Sequence, residues 1–361
     1  MKAITFSLFL FMLCLWSGVA GQNAEAVLRV SLTVGDLDRA VKFYTEVLDF
    51  QKESEYRLDD EATQKLFGLQ EKTAAVRIAH LKIGGETVEL MEFSGTSPGR
   101  SIPADSRSND GWFQHIAIVV SDMELAYKKL RQHNVVHVST SPQTLPAYIP
   151  AAAGISAFYF RDPDGHNLEI IHFPPGKGNP KWQQLVVGIS QSVASQSPIT
   201  HHPSPLTLHQ SPFLGIDHTA IGIEETGDGF AFWRDILKLK VAGNSENYGT
   251  EQEHLNQVFG ARLLITGLQS EAGFGVEFLD YIAPPGGRPY PADSRPTDLW
   301  HWHTTLKVNE LEQLQGELLS GGFRLISQGI VQLDKNKKAL LVRDPDGHAV
   351  LLEEEKPASE R

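Results

Sequence analysis

Gly99–His115 reads GRSIPADSRSNDGWFQH, and Gly287–His303 reads GRPYPADSRPTDLWHWH at a constant offset. Two passages this alike in one chain mean that the chain carries one ancestral half twice, and a repeat on that scale sets the architecture before local propensity does. A shorter recurrence supports the reading: RDPDGH stands at Arg161–His166 and again at Arg343–His348. Its glycine supplies the positive φ of a tight turn, so each copy marks a reversal between two strands.

Working outward from these anchors, each half divides into two modules with one element order. In the first, Leu28–Val34 alternates as a strand, and Asp36 can cap a helix whose Leu37, Ala40, Val41, Tyr44 and Leu48 recur at helical spacing. Strands follow at Ala74–Ile83 and Thr87–Phe93. The second module runs from strand His115–Val120, through helix Met123–His133 behind a Ser121 cap, to strands Ala157–Arg161 and Asn167–Phe173. The third has strand His218–Ile223, a helix around Phe230–Leu237, and strands Ala261–Ile265 and Gly275–Tyr281. The fourth has strand His303–Val308, helix Glu310–Ser320 ended by Gly321 and Gly322, and strands Lys338–Arg343 and Val350–Glu354. The pattern predicts an α+β fold of four βαβββ modules in two tandem halves. The halves span 27–174, with modules 27–94 and 112–174, and 213–356, with modules 213–283 and 300–356. Residues 175–212, rich in Pro, Ser, Gln and His, read as a linker, and a solvated tether accounts for His201, His202 and His209 better than metal binding does.

Residues 1–20 read as a signal peptide: Lys2 gives a positive start, Ile4–Trp16 an apolar run, and Gly18-Val19-Ala20 a small-residue cleavage site. The run is shorter than the roughly 20 residues a membrane span needs. Cleavage would remove Cys14, the only cysteine, leaving a secreted or periplasmic protein without a thiol and with no membrane association. With 32 basic against 44 acidic residues the net charge is −12, which makes nucleic acid an unsuitable partner. The expected partner is a small-molecule substrate, and the expected assembly a monomer or homodimer.

A strand opening on His, a helix, a DPDG turn and a last strand carrying Glu, in four copies, resembles the vicinal oxygen chelate superfamily, which holds glyoxalase I, methylmalonyl-CoA epimerase, extradiol dioxygenases and the bleomycin and fosfomycin resistance proteins. The resemblance covers nearly all of Leu28–Glu355. It implies curved mixed sheets that close around metal-binding cups, each module offering one ligand at the start of its first strand and one in its last. Carried over by position, module one offers Arg29 and Glu89, module two His115 and Glu169, module three His218 and Glu277, and module four His303 and Leu351. Arg29 and Leu351 depart from the pattern, because neither a guanidinium nor an alkyl group has a lone pair to give. Glu89 could equally form a salt bridge with Arg29.

Module pairing decides which sites exist. Pairing within halves would make one cup from Glu89, His115 and Glu169 and another from His218, Glu277 and His303, the latter a composition that suits non-haem Fe(II). Pairing the second module with the third would gather His115, Glu169, His218 and Glu277, and leave Arg29, Glu89, His303 and Leu351 in a degenerate cup. The short connections inside each half argue for the first arrangement. The concentration of both losses in one cup argues for the second.

A carboxylate inside an apolar strand, such as Glu169 in Leu168-Glu169-Ile170, is costly to bury without a compensating cation. A divalent Zn, Ni, Mn, Co or Fe(II) ion would compensate it, and the resemblance implies that His115, Glu169, His218, Glu277 and His303 hold that cofactor, with Glu169 and Glu277 as proton-transfer groups. The resemblance implies an isomerase, epimerase or lyase working through an enediolate, with an Fe(II) ring-cleaving dioxygenase or a non-catalytic ligand-binding protein as alternatives. No residues match the glutathione contacts of glyoxalase I. His301 reads as an edge-exposed residue, and His166 and His348 as capping or solvated turn residues. The ADSR segments at Ala104–Arg107 and Ala292–Arg295 read as local Asp–Arg contacts, and Trp112, Trp300 and Trp302 as core or cup lining.

Overall fold

The computed structural model describes residues 24–186 and 211–356. The proposed signal peptide and His201, His202 and His209 lie outside the described residues. Among the described residues, no helix is long and apolar enough to cross a membrane.

Module one comprises β1 (Ala24–Thr33), α1 (Leu37–Glu46), β2 (Gln51–Arg57), α2 (Asp60–Leu66), β3 (Ala75–Ile83) and β4 (Glu86–Ser94). Module two comprises β5 (Gln114–Val120), α3 (Met123–Gln132), the short β6 (Val136–His137) and β7 (Gln143–Thr144), β8 (Ser156–Arg161) and β9 (Asn167–His172). Within the expected linker, residues 180–186 form a helix, α4, which buries Trp182 against Ala117, Val119, Ile171 and Leu214. Module three holds β10 (Phe213–Ile223), α5 (Thr226–Phe230) continuing as a π-helical turn over Ala231–Ile236, β11 (Lys240–Tyr248), α6 (Thr250–Asn256), β12 (Arg262–Gln269), β13 (Ala272–Gly273) and β14 (Gly275–Ala283). Module four holds β15 (Trp302–Val308), α7 (Leu311–Ser320), β16 (Val331–Gln332), β17 (Lys337–Arg343) and β18 (Ala349–Glu355).

Local chemistry sets these elements. Asp36 caps α1 by accepting from the Arg39 N–H, and the hydrophobic stripe of the helix buries Leu37, Ala40 and Tyr44. The cap of α3 is Asp122 rather than the expected Ser121: its carboxylate accepts from the Leu125 N–H, the reach an N-cap requires. Gly165 and Gly347 take φ of 95° and 101°, as the two DPDG turns demand.

Among the described residues the strands form two nine-stranded mixed sheets, and the modules pair across the halves. One sheet joins modules two and three through antiparallel β5 and β10; the other joins modules one and four through antiparallel β1 and β15. The apolar faces of both sheets and the helices α1, α3 and α7 share one core that includes Leu32, Leu37, Ile118, Phe158, Trp233, Phe278 and Leu340.

The twin ADSR segments clasp the halves together. Arg288 reaches Asp110 at 2.8 Å and Asp105 at 3.0 Å, while Arg100 reaches Asp298 at 2.7 Å and Asp293 at 3.0 Å. The arginines lie over the rings of Trp112 and Trp300, at 4.8 and 4.6 Å. The expected local Asp–Arg contacts are replaced by contacts between halves, because cross-pairing brings each segment beside its copy's arginine. Burial raises the carboxyls of Asp110 and Asp298, yet the facing guanidinium and backbone N–H groups outweigh it and hold both below the usual carboxylate value. A depressed carboxyl contributes stability that is present above its unfolded pKa and is lost as pH falls. Arg100→Ala or Arg288→Ala should therefore cost about 1–2 kcal/mol in urea unfolding at pH 7, allowing for screening of the half-exposed arginine. That difference from the parent should shrink as the pH is lowered through the carboxylate range.

Candidate metal centre

Register places the ligand positions. In module two, His115 lies beside Asn167 and Ala117 beside Glu169. In module three, His218 lies beside Gly275 and Ala220 beside Glu277. Modules one and four repeat the pattern with Ser31 beside Glu89 and Thr305 beside Leu351. Residues two apart on a strand share a face, so the first-strand and last-strand positions of every module point into the same cup. Antiparallel pairing of β5 with β10 then sets His115 opposite Ala220 and His218 opposite Ala117, leaving the two imidazoles as diagonal neighbours with ring centroids 5.6 Å apart.

Four of the five expected ligands meet in this cup. His115 Nε2 lies 3.0 Å from Glu169 Oε2, and His218 Nε2 lies 3.7 Å from that same oxygen and 3.3 Å from Glu277 Oε2. Ligand atoms of His115, Glu169 and His218 all fall within 4.8 Å of one another. Both ring nitrogens of His115 are buried without a hydrogen-bond partner, Nε2 facing the Glu169 oxygen outside hydrogen-bonding geometry. A lone pair left idle in the protein interior is what a metal would use. Buried imidazole nitrogens with carboxylate oxygens fit a divalent cation of the Zn, Ni, Co, Mn or Fe(II) group. The residues present therefore fit a metal.

Asp217, which sequence reasoning misses, orients the second histidine. Its Oδ2 lies 3.1 Å from His218 Nδ1, and its Oδ1 accepts from the Trp182 indole N–H at 2.5 Å. A carboxylate behind a ligating histidine fixes the ring and its tautomer. Burial lowers the pKa of His218, but Glu277, Asp217 and Glu169 together raise it to about 9. Burial raises that of Glu277 above its ordinary value. The set lines a cavity of about 180 Å³ together with Tyr159, Phe173, Asn247 and Gln252. Asp217, His218 and Glu277 also line a wider cleft of about 680 Å³. Glu277 keeps 29 % of its side chain exposed against 5 % for Glu169, so it is the more accessible carboxylate.

The second cup takes another course. Arg29 Nε meets Glu89 Oε1 at 2.7 Å and its Nη2 meets Glu353 Oε2 at 2.6 Å, while Ser31 and His80 complete the contacts to Glu89. The salt-bridge reading of Glu89 is the one observed. Leu351, Phe67, Met91 and Leu66 pack together in the same cup as a hydrophobic cluster. His303 lies here, in the other sheet from His218, so it does not join the cluster in the first cup, and the His218–His303 pair needed for the ring-cleaving reading is not assembled. Burial drives the His303 imidazole down to about 4.

Three further histidines differ from expectation. His301 is fully buried rather than at an exposed edge, with neither ring nitrogen hydrogen-bonded. His166 and His348 are buried as well: His166 contacts Asp162 at 2.8 Å and the Leu299 carbonyl at 2.7 Å, and His348 the Gly222 carbonyl at 2.6 Å. The DPDG turn is folded under a neighbouring module, which turns a surface position into a buried one.

The family model of the Glyoxalase/Bleomycin resistance protein/Dioxygenase superfamily matches residues 26–170. A curated protein of Actinomyces sp, 2-epi-5-epi-valiolone epimerase, is 37 % identical over 186 residues, which covers 50 % of this chain and 94 % of that protein. Among solved structures, glyoxalase I from Zea mays superposes with a TM-score of 0.54 at 14 % identity, covering 92 % of this chain and 93 % of that one. A putative dioxygenase from Bacillus subtilis superposes with a TM-score of 0.54 at 15 % identity, covering 93 % and 87 %. At such identities these superpositions show the fold alone. The epimerase match and the family model, laid over four paired modules, lead to one statement: the chain belongs to the Glyoxalase/Bleomycin resistance protein/Dioxygenase superfamily.

Proposed function

We propose that this protein is a metal-dependent epimerase or isomerase that moves a proton at the hydroxyl-bearing carbon beside the carbonyl of an α-hydroxyketone, through an enediolate. The observation that carries the reading is the convergence of His115, Glu169 and His218, with Glu277 beside them, in one cavity. When bound, a divalent cation would supply Lewis acidity to the two vicinal oxygens and stabilise negative charge on them. His115, His218 and Glu169 would hold it.

Glu277 is the proposed base. Burial makes its carboxylate more basic than an ordinary one, and its exposure to the cleft lets it reach a bound substrate. The C–H bond breaks, its electron pair moves into the enediolate, and the proton passes to a Glu277 oxygen. Epimerisation completes when water from the open cleft beside Glu277 donates a proton to the opposite face of the same carbon, and Glu277 returns its own proton to the hydroxide left behind. The name of the Actinomyces relative, an epimerase, supports this member of the reaction class. Trp182 and Asp217 hold His218 in place throughout.

The reconstituted protein should carry one transition-metal ion per chain by elemental analysis. His115→Ala with His218→Ala should abolish it, while His303→Ala should retain it; absence of stoichiometric metal in the parent would sink the proposal. In D2O the metal-loaded protein should exchange the α-hydrogen of an α-hydroxyketone for deuterium. Glu277→Gln should slow that exchange by about 10²–10⁴-fold with metal content retained, and an unchanged rate would remove Glu277 from the proton path.

A further inference from the structure

The wall of the cavity carries a chain of buried carboxamides that the metal chemistry leaves unused. Ser245 Oγ donates to Asn247 Oδ1 at 2.5 Å, and Asn247 Nδ2 to Gln252 Oε1 at 3.0 Å. Gln252 Nε2 donates to Asn256 Oδ1 at 2.7 Å, and Asn256 Nδ2 to the Tyr281 hydroxyl at 2.5 Å. Asn247, Gln252 and Asn256 are each at most 2 % exposed. Ser245, Asn247 and Gln252 line the cavity that holds the ligand cluster, and Asn256 and Tyr281 anchor them. An amide nitrogen has two N–H groups and its oxygen two lone pairs. The chain uses one N–H each of Asn247 and Gln252, leaving the other for a ligand.

Such a chain is expensive in an otherwise apolar wall, because every polar member must be desolvated and then satisfied. The other cup shows that the fold does not need it. Helix α2 of module one and helix α6 of module three occupy the same place in their modules, each of seven residues between the second and third long strands. Their third and seventh positions are Ala62 and Leu66 in α2, and Gln252 and Asn256 in α6. Ala62 and Leu66 join the hydrophobic cluster that fills the arginine-bearing cup. The polar pair stands only over the cup with the ligand cluster.

We infer that Asn247 and Gln252, held by Asn256 and Tyr281, form a hydroxyl-reading wall that selects a polyhydroxylated α-hydroxyketone. This rests on the proton-transfer reading for the site but concerns specificity alone. The chelating oxygens of the substrate would face the histidines, and its remaining hydroxyl groups would exchange hydrogen bonds with the free amide positions. A substrate without those hydroxyls would leave buried amides unpaired, which is where strong discrimination comes from. Asn256 and Tyr281 are positioning residues.

The test uses the metal-reconstituted full chain and two probes: 2-keto-myo-inositol, a fully hydroxylated cyclohexanone, and 2-hydroxycyclohexanone, which keeps only the chelating pair. Calorimetric binding and α-hydrogen exchange in D2O are read in parallel. Binding of the inositol ketone should be at least about tenfold tighter than that of 2-hydroxycyclohexanone. Gln252→Met, similar in shape but without amide hydrogen bonds, should bring the ratio close to unity with metal content retained. Tyr281→Phe, which unties the anchor behind the wall, should reduce the ratio by a smaller factor. Equal binding of the two probes by the parent, or a ratio unchanged in Gln252→Met, overturns the hydroxyl-reading wall. Preferential binding without exchange upholds the wall and overturns the proton-transfer reading. Exchange without preference does the reverse.

Discussion

A carboxylate set in the middle of a buried strand must meet positive charge, and both cups of this protein are answers to that constraint. In one, Glu169 and Glu277 come together with two histidines, a group with the composition of a candidate metal centre. In the other, Glu89 and Glu353 close on the Arg29 guanidinium, and the cation is part of the chain. The two sheets are otherwise built alike, each around an antiparallel pair of first strands flanked by parallel last strands. An arginine where the pattern has a histidine, and a leucine where it has a glutamate, separate a structural knot from a candidate metal centre.

The constraint explains why so much of the site is legible in the sequence. Strand register in a duplicated fold recurs from module to module, so the pairing of His115 with Glu169, and of His218 with Glu277, follows once the module boundaries are placed on the repeated segments. The distribution of the two losses, Arg29 and Leu351, carries information about topology: only pairing across the halves puts them in a single cup, and that is the pairing observed. His303 holds the same strand-start position as His115 and His218, but that pairing sends it into the other sheet, to the cup with Arg29, Glu89 and Leu351, and so out of the ligand set.

What the sequence conceals lies mostly in the second strand of each long module. Gln51–Arg57 is exposed along its entire length and most of Lys240–Tyr248 is too, and the inward residues of the latter, Ser245 and Asn247, are polar, so neither strand carries the apolar alternation by which a strand is recognised. The helices α2 and α6 that follow are only seven residues long. Asp217 is invisible for a different reason: an acidic neighbour beside a histidine is common, and only the fold brings Trp182 round to fix it. The burial of His301, likewise, depends on how the fourth module packs.

Because β1 finds its partner in β15 and β5 finds its partner in β10, the chain closes like nested parentheses. During synthesis the inner sheet, with the histidine–glutamate cluster, has all its strands once residue 283 has emerged, whereas β1 must wait with an unpaired edge until the last module is made. An open edge is an invitation to wrong partners. The ribosome thus delivers the centre first and the arginine-sealed cup last, and the earliest strand to appear is among the latest to be covered.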